Sequence, residues 1–232
     1  MRQQAPDNTL HPQTLRFLSN LKKNNNKEFM DAHRDLWAEI RTGLCSFVDA
    51  IIMQLSAYDK TIAAESAKTS VFRINRDIRF SKNKSPYKEN IGAFVSAGGK
   101  KSNGAGYYLH IEPGGNTFLA GGAYGPDAAS LFRIRQEIDY NGIAFEKIIK
   151  AASFRKHFGF LDEQFRVARF PKGFDANSAY AKYLPYASYV AITPAITDKT
   201  VVSSLFFKQA LEAFRSMVPL NQFLNTAIHD QA

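Results

Sequence analysis

The order of apolar and polar residues divides the chain into three blocks. In the first, Leu15, Phe17, Leu18 and Leu21 recur at helical spacing within Leu10 to Leu21, which predicts a helix. The run Asn24-Asn25-Asn26 ends it. Asn25 is placed to cap a second helix, with Glu28 three residues on returning to the cap. From there Phe29, His33, Leu36, Trp37, Ile40, Leu44, Phe47, Val48, Ile51, Ile52 and Leu55 form one long apolar stripe, the mark of a main core helix, with Gly43 as a point of bending.

The period then changes from helical to alternating. Over Val71 to Phe80, Phe72, Ile74, Ile78 and Phe80 fall on one side and Arg73, Asn75, Asp77 and Arg79 on the other, a half-buried strand pattern. Arg76 is the exception on the apolar side. Ser81 to Pro86 reads as a polar, basic turn. Ile91 to Ser96, Tyr107 to Glu112 and Thr117 to Tyr124 read as further strands. Pro113-Gly114-Gly115 is a turn between the last two. Gly121 and Gly122 inside a strand suggest a bulge or a close backbone approach to a ligand.

The third block is mixed. Asp127 starts a helix through Leu131, Ile134, Arg135 and Ile138, and Ile143 to Ala151 forms another. Phe154 to Phe174 reads as irregular, and Tyr186 to Thr193 as a strand. Thr197 or Asp198 caps a helix through Val201, Leu205, Phe206, Leu211, Phe214 and Val218, with a short helix after Pro219. Helices, consecutive strands, then helices argue for an α+β fold: a mostly antiparallel central sheet of about four to six strands packed by N-terminal and C-terminal helices.

Composition adds limits. The 232 residues are 45% hydrophobic and 22% charged, ordinary for a globular domain. One domain over residues 1–232 is expected, with 1–9 as a flexible tail. The single Cys45 excludes an internal disulfide and a cysteine-based zinc site, and it falls on the apolar stripe, where a cysteine acts as core. Met1 to Thr9 lacks the apolar core of a signal peptide. Phe47 to Leu55 is far short of the roughly 20 residues that span a bilayer. A cytoplasmic protein with no membrane partner is expected.

Charge changes the picture more. The chain carries a net +9. Residues 68–101 hold nine basic side chains (Lys68, Arg73, Arg76, Arg79, Lys82, Lys84, Lys88, Lys100 and Lys101) against Asp77 and Glu89, so +7 of that excess sits in one segment. One reading is a solvated basic edge that blocks edge-to-edge association. The other is an anion site. Arg73 and Arg79 share the polar strand face, and guanidinium forks suit phosphate or carboxylate. Asp77 between them can pair with an arginine, the commoner role, or act as an acid–base group.

On the strand Tyr107 to Glu112, Tyr108, His110 and Glu112 project to one side. A His–carboxylate pair can move a proton, although a lone strand histidine is more often a hydrogen-bonded structural residue. No third ligand of convincing spacing accompanies the pair, so no metal site is assigned. The chain has no phosphate-cradling Gly-Lys-Ser/Thr loop, no dinucleotide fingerprint and no Gly-x-Ser-x-Gly elbow, and it points to no particular cofactor.

Four stretches carry a family resemblance: Asn24 to Phe29, Phe72 to Lys88 with Arg73-Ile74-Asn75-Arg76-Asp77 at its heart, Gly106 to Gly114, and Pro171 to Asp175. Together they resemble the motifs of a widespread, mainly bacterial family known as domain of unknown function 2461. The likeness runs from about Leu15 to Leu224. It implies a single intracellular domain and brings no activity with it. The chain departs from the family pattern at Gly121-Gly122-Ala123-Tyr124-Gly125-Pro126, where a third glycine and Met-Pro are usual. It departs again before Tyr189, where Ala187 and Ser188 stand in place of a lysine.

Three functional readings follow. In the first, Arg73, Asp77, Arg79, Tyr108, His110 and Glu112 surround a pocket for a small anionic ligand, with Lys82, Tyr87 and Lys88 at its mouth. The arginines would hold phosphate or carboxylate, and His110, Glu112 or Asp77 would move a proton. In the second, the basic segment and Tyr87, Tyr107 and Tyr108 bind nucleic acid, against which stands the lack of any recognised nucleic-acid motif. In the third, the charged strand is a salt-bridge network that fixes the fold, with Arg76 as its structural member.

Overall fold

The computed structural model describes residues 8–229. The tail expected over residues 1–9 therefore lies mostly outside the described residues. Helix α1, Thr14–Lys23, buries Leu15, Phe17, Leu18 and Leu21. Helix α2, Lys27–Ala32, is capped by Asn26, whose side chain accepts from the Phe29 amide at 2.8 Å. Asn25, the expected cap, instead bonds the backbone of Tyr87. The long stripe is split at His33 into α2 and α3, Arg34–Leu55. His33 takes a non-helical conformation there and its Nδ1 lies 2.8 Å from the Phe29 carbonyl. The apolar spacing runs across this break unchanged, so periodicity alone could not show it. Gly43 does not interrupt α3.

After the one-turn helix α4, Ala67–Ser70, come the strands β1, Ile91–Val95, β2, Gly106–Ile111, and β3, Phe118–Ala123. Three helices follow: α5, Ala128–Tyr140, capped by Asp127; α6, Gly142–Lys150; and α7, Ala152–Phe158. Helix α7 occupies part of the stretch expected to be irregular; only Phe154 and Phe158, one turn apart, announce it. Strand β4, Tyr189–Ile192, then completes a sheet of order β1-β2-β3-β4, antiparallel throughout. Thr197 caps the short helix α8, Asp198–Val201, and α9, Leu205–His229, closes the described chain. Pro219 sits inside α9 without ending it. The carbonyl that the missing amide leaves unpaired belongs to Arg215, and both residues are exposed, so water can serve it.

The segment Val71 to Phe80 is not a strand. It makes only isolated bridges, Val71 to Ala93 and Asn75 to Tyr87. Beyond these, side chains satisfy the backbone locally. Asp77 accepts from the Arg79 amide, Asn83 from the Ser85 amide, and the Lys84 ammonium donates to the Ile78 carbonyl. Phe80, counted on the apolar side, is 95% exposed.

Alternation gives the sheet two faces. Ile91, Ala93, Val95, Tyr107, Leu109, Ile111, Leu119, Ala123, Tyr189 and Ala191 are buried in one contiguous core. Helix α9 lies against this face through Phe214 and Met217, and a Cβ on Gly121 would stand only 2.5 Å from Met217 Cγ. Each such large side chain, fully buried, contributes about 1.5–3 kcal/mol. Among the described residues no α-helix lines the cavity on the other face, where the 3-10 helix Glu163–Phe165 stands at one side. That is where the candidate site lies.

Candidate functional site

Strand register places Gly92, Phe94, Gly106, Tyr108, His110, Phe118, Ala120, Gly122, Val190 and Ile192 on the face opposite α9. Large and absent side chains complement each other across neighbouring strands. A Cβ on Gly92 would meet the Tyr108 ring and hydroxyl at 3.4 Å, and one on Gly106 would meet the tip of Phe94 at 2.8 Å. Each aromatic ring therefore lies over the glycine of the adjacent strand. Gly122 has φ +118°, and a Cβ there would stand 2.0 Å from the Tyr189 carbonyl oxygen, so no other residue fits between β3 and β4.

Residues 72–90 arch over the β1 side of this face. Phe72 donates its amide to the Gly92 carbonyl at 3.0 Å, Lys88 to Ile74 at 2.8 Å, and Arg76 to Pro86 at 2.9 Å. The Arg76 guanidinium donates to the Ser85 carbonyl and to Ser81 Oγ, tying the loop to itself. Asn25 clamps it from outside. Its carboxamide accepts from the Tyr87 amide at 3.0 Å and donates to the Tyr87 carbonyl at 3.1 Å, as a neighbouring strand would.

Between arch and sheet is a cavity of 740 Å³. That is within the roughly 300–1,000 Å³ common for small-molecule sites. Phe72, Phe94, Tyr108, Phe118, Tyr124 and Phe165 supply aromatic walls, and Ala120 and Gly122 leave the floor open. Arg73, Lys88 and Lys100 are its cations, and no Asp or Glu lines it among the described residues. The Lys100 ammonium donates to the Thr69 carbonyl at 3.1 Å. Lys88 and Arg73 form no ion pair with any described acid. The Lys88 ammonium rests 5.2 Å over the Phe72 ring. Burial, and then the nearby Arg73 charge, hold its pKa below the usual lysine value.

A hydrogen-bonded chain runs off the cavity along β2. Tyr108 Oη lies 3.0 Å from His110 Nδ1, and His110 Nε2 lies 3.0 Å from Glu112 Oε2. The Glu112 carboxylate can only accept, so it fixes the imidazole proton on Nε2, and Nδ1 then accepts from the Tyr108 hydroxyl. Phe118 stacks on His110 at 4.5 Å, and the imidazole is 12% exposed. Burial, then the Glu112 charge, push the Tyr108 hydroxyl above its ordinary pKa. Lys22, paired with Glu89 at 2.9 Å, stands 4.0 Å from the other Glu112 oxygen.

Of the residues singled out by sequence, Arg73, Lys88 and Tyr108 line the cavity, while His110 and Glu112 stand behind Tyr108 rather than in its lining. Asp77 and Arg79 form an exposed bidentate ion pair in the loop, at 2.7 and 3.0 Å, away from the lining. The arginine holds the Asp77 carboxyl below the usual carboxylate range. Lys82 is exposed in the same loop, and Tyr87 is buried in the core. Phe94, Phe118, Ala120, Phe165 and Ile192 were not singled out by sequence. The available signal was strand parity: aromatic residues recur at the non-core positions of consecutive strands.

Among the described residues no helix is long and apolar enough to cross a membrane. Neither a curated protein nor a solved structure matches the chain. A family described as conserved hypothetical protein (DUF2461) matches residues 13–223, a span that contains the whole cavity lining and the chain Tyr108–His110–Glu112. The protein therefore belongs to the DUF2461 family of conserved hypothetical proteins.

Proposed function

We propose that the protein binds a small phosphate- or carboxylate-bearing ligand in the cavity on the face of the sheet opposite α9. One observation carries this reading: Arg73 and Lys88 line a half-open, aromatic space, and no Asp or Glu among the described residues lines it to neutralise them. Two neighbouring cations repel, and an anion between them removes that cost. Tyr108 brings the acid–base capacity of His110 and Glu112 to the cavity. Its hydroxyl donates inward to His110, leaving its lone pairs free to accept from a ligand; a protonated imidazole reverses the direction and turns the hydroxyl into a donor. A bacterial cytoplasmic setting is part of this proposal, supported by the resemblance that the four sequence stretches carry.

A thermal-shift screen of nucleotides, sugar phosphates and organic acids tests it. Anionic ligands should stabilise the wild type, and should stabilise an Arg73→Ala, Lys88→Ala double variant much less. Arg79→Ala, outside the cavity, should behave as the wild type. If no anion separates the wild type from the double variant, the proposal fails.

A second reading, nucleic-acid binding, is favoured by the loop tip. There the exposed Phe80 has the Arg79 guanidinium 5.8 Å above its ring and exposed Lys82 and Lys84 beside it, a pattern suited to stacking on a base between phosphates. Such binding must weaken steeply with salt and require Phe80. A flat salt response removes it.

A further inference from the structure

We infer that the ligand is an organic anion with a broad apolar body, an aryl or long acyl carboxylate or phosphate, rather than a bare oxyanion or a sugar phosphate. This rests on the anion-binding reading and specifies its ligand. The polar and apolar parts of the cavity are segregated. Polar groups gather at the β1 end. The Tyr108 hydroxyl stands over Gly92, whose carbonyl receives the Phe72 amide, and Arg73 follows directly in the chain. Lys88 lies over the Phe72 ring.

From there the space extends across β3 over Ala120 and Gly122, which present almost no side chain. In register they face Ile192 and Val190 on β4, both apolar. Tyr124 and Phe165, edge-on to each other at 5.7 Å, are the aromatic residues of that end. A charged group at the β1 end fills a small part of 740 Å³. The remainder is mostly apolar surface that gains by covering, with Lys100, Ser102 and Gln164 among its polar side chains. Sugar hydroxyls laid over Ala120, Val190 and Ile192 would lose water without gaining partners, which is costly. An aryl or alkyl body would not.

The test is a ladder of probes measured by titration calorimetry at one pH and ionic strength. Acetate and inorganic phosphate carry the head alone. Octanoate, phenylbutyrate and naphthyl phosphate carry head and body. Octanol, phenylbutanol and naphthol carry the body alone. Affinity should rise about tenfold or more from the head alone to the best anion with a body. Alcohols should trail their acids, and Lys88→Gln should narrow that gap. Ile192→Trp should weaken the anions with bodies and spare phosphate. Phe165→Ala, half-buried at the end of the 3-10 helix Glu163–Phe165, repeats that test should Ile192→Trp unfold by circular dichroism. If acetate and phosphate bind as tightly as every anion with a body, this inference is overturned and the anion site stands. If acids and alcohols bind alike in wild type and in Lys88→Gln, the anion site itself falls. No binding by any probe overturns both.

Discussion

Tyr107 and Tyr108 are neighbours in β2 that point to opposite faces, and their hydroxyls do different work. Tyr107 is buried and donates to Asp59 at 2.7 Å; Asp59 also accepts from the Thr61 hydroxyl and amide. Burial, first, and the Asp59 carboxylate hold the Tyr107 proton on well beyond the ordinary range. Tyr107→Phe takes a donor from a buried carboxylate and should cost about 1–3 kcal/mol in urea unfolding, with no loss of ligand affinity. Tyr108→Phe should cost about 1 kcal/mol or less and change ligand affinity, because Tyr108 lines the cavity; an anion should feel the loss where a protonated imidazole frees the hydroxyl to donate. Equal effects of the two substitutions on binding would contradict the assignment of ligand binding to the cavity face of the sheet rather than the core face. At this scale the sequence was informative about chemistry and not about position. Tyr108, His110 and Glu112 could be placed on one side of a strand by counting. That Tyr108 alone reaches the cavity depends on the ring lying over Gly92, a contact between strands that no local pattern contains.

Among the elements, the sheet was legible and the arch was not. Strands β1 to β3 follow from alternation bounded by turn residues. Alternation in Val71 to Phe80 arises differently: Phe72 and Ile74 are drawn toward the protein, Asn75 stays in water and Arg73 is exposed at the open side of the cavity, with no partner strand to continue the ladder beyond two bridges. Periodicity reports which residues are inside, and only a neighbour makes them a strand. The arch depends instead on Asn25. Asn25→Ala removes both hydrogen bonds to Tyr87, so amide exchange within residues 72–90 should quicken while the core-face amides of β2 stay protected. Unchanged exchange in the arch would show that its backbone bonds, Arg76 and Lys84 hold it without Asn25. Helix α6 is fastened to the 181–183 turn by Glu146, which accepts from the Tyr183 hydroxyl and pairs with Lys182 and Lys150. The tyrosine hydrogen bond first, then the two lysines, lower the Glu146 pKa to about 2. In the unfolded chain a glutamate titrates near ~4.3. The cross-link therefore contributes fully above that value, and its contribution is lost as pH falls through about 2. Glu146→Gln should flatten the acid limb of the stability profile in that window and leave the neutral limb's slope unchanged; an unaltered acid limb would mean that the cross-link does not stabilise the fold.

For the whole molecule, one contiguous core joins α1, α3, the core face of the sheet and α9. The single tryptophan, Trp37 on α3, stacks on Phe17 of α1 at 5.6 Å, far in sequence from the sheet. Its fluorescence and the far-ultraviolet circular dichroism of the chain should melt together. Separate midpoints would divide the protein into more than one unfolding unit. The α+β class was legible because block order survives small errors in element boundaries. The break at His33, the run of α9 through Pro219 and helix α7 were not, because each is decided by packing or solvent at one or two residues. The sheet with α9 on one face and the cavity on the other has a consequence for descent. Even-numbered residues of β1, β2, β3 and β4 shape the cavity, and odd-numbered ones build the core. Substitutions at Phe94, Phe118, Ala120 or Ile192 can reshape the cavity while the interlock with α9 stays intact. If the cavity binds as proposed, a chain with this scaffold can change its ligand mainly through one parity of its strands.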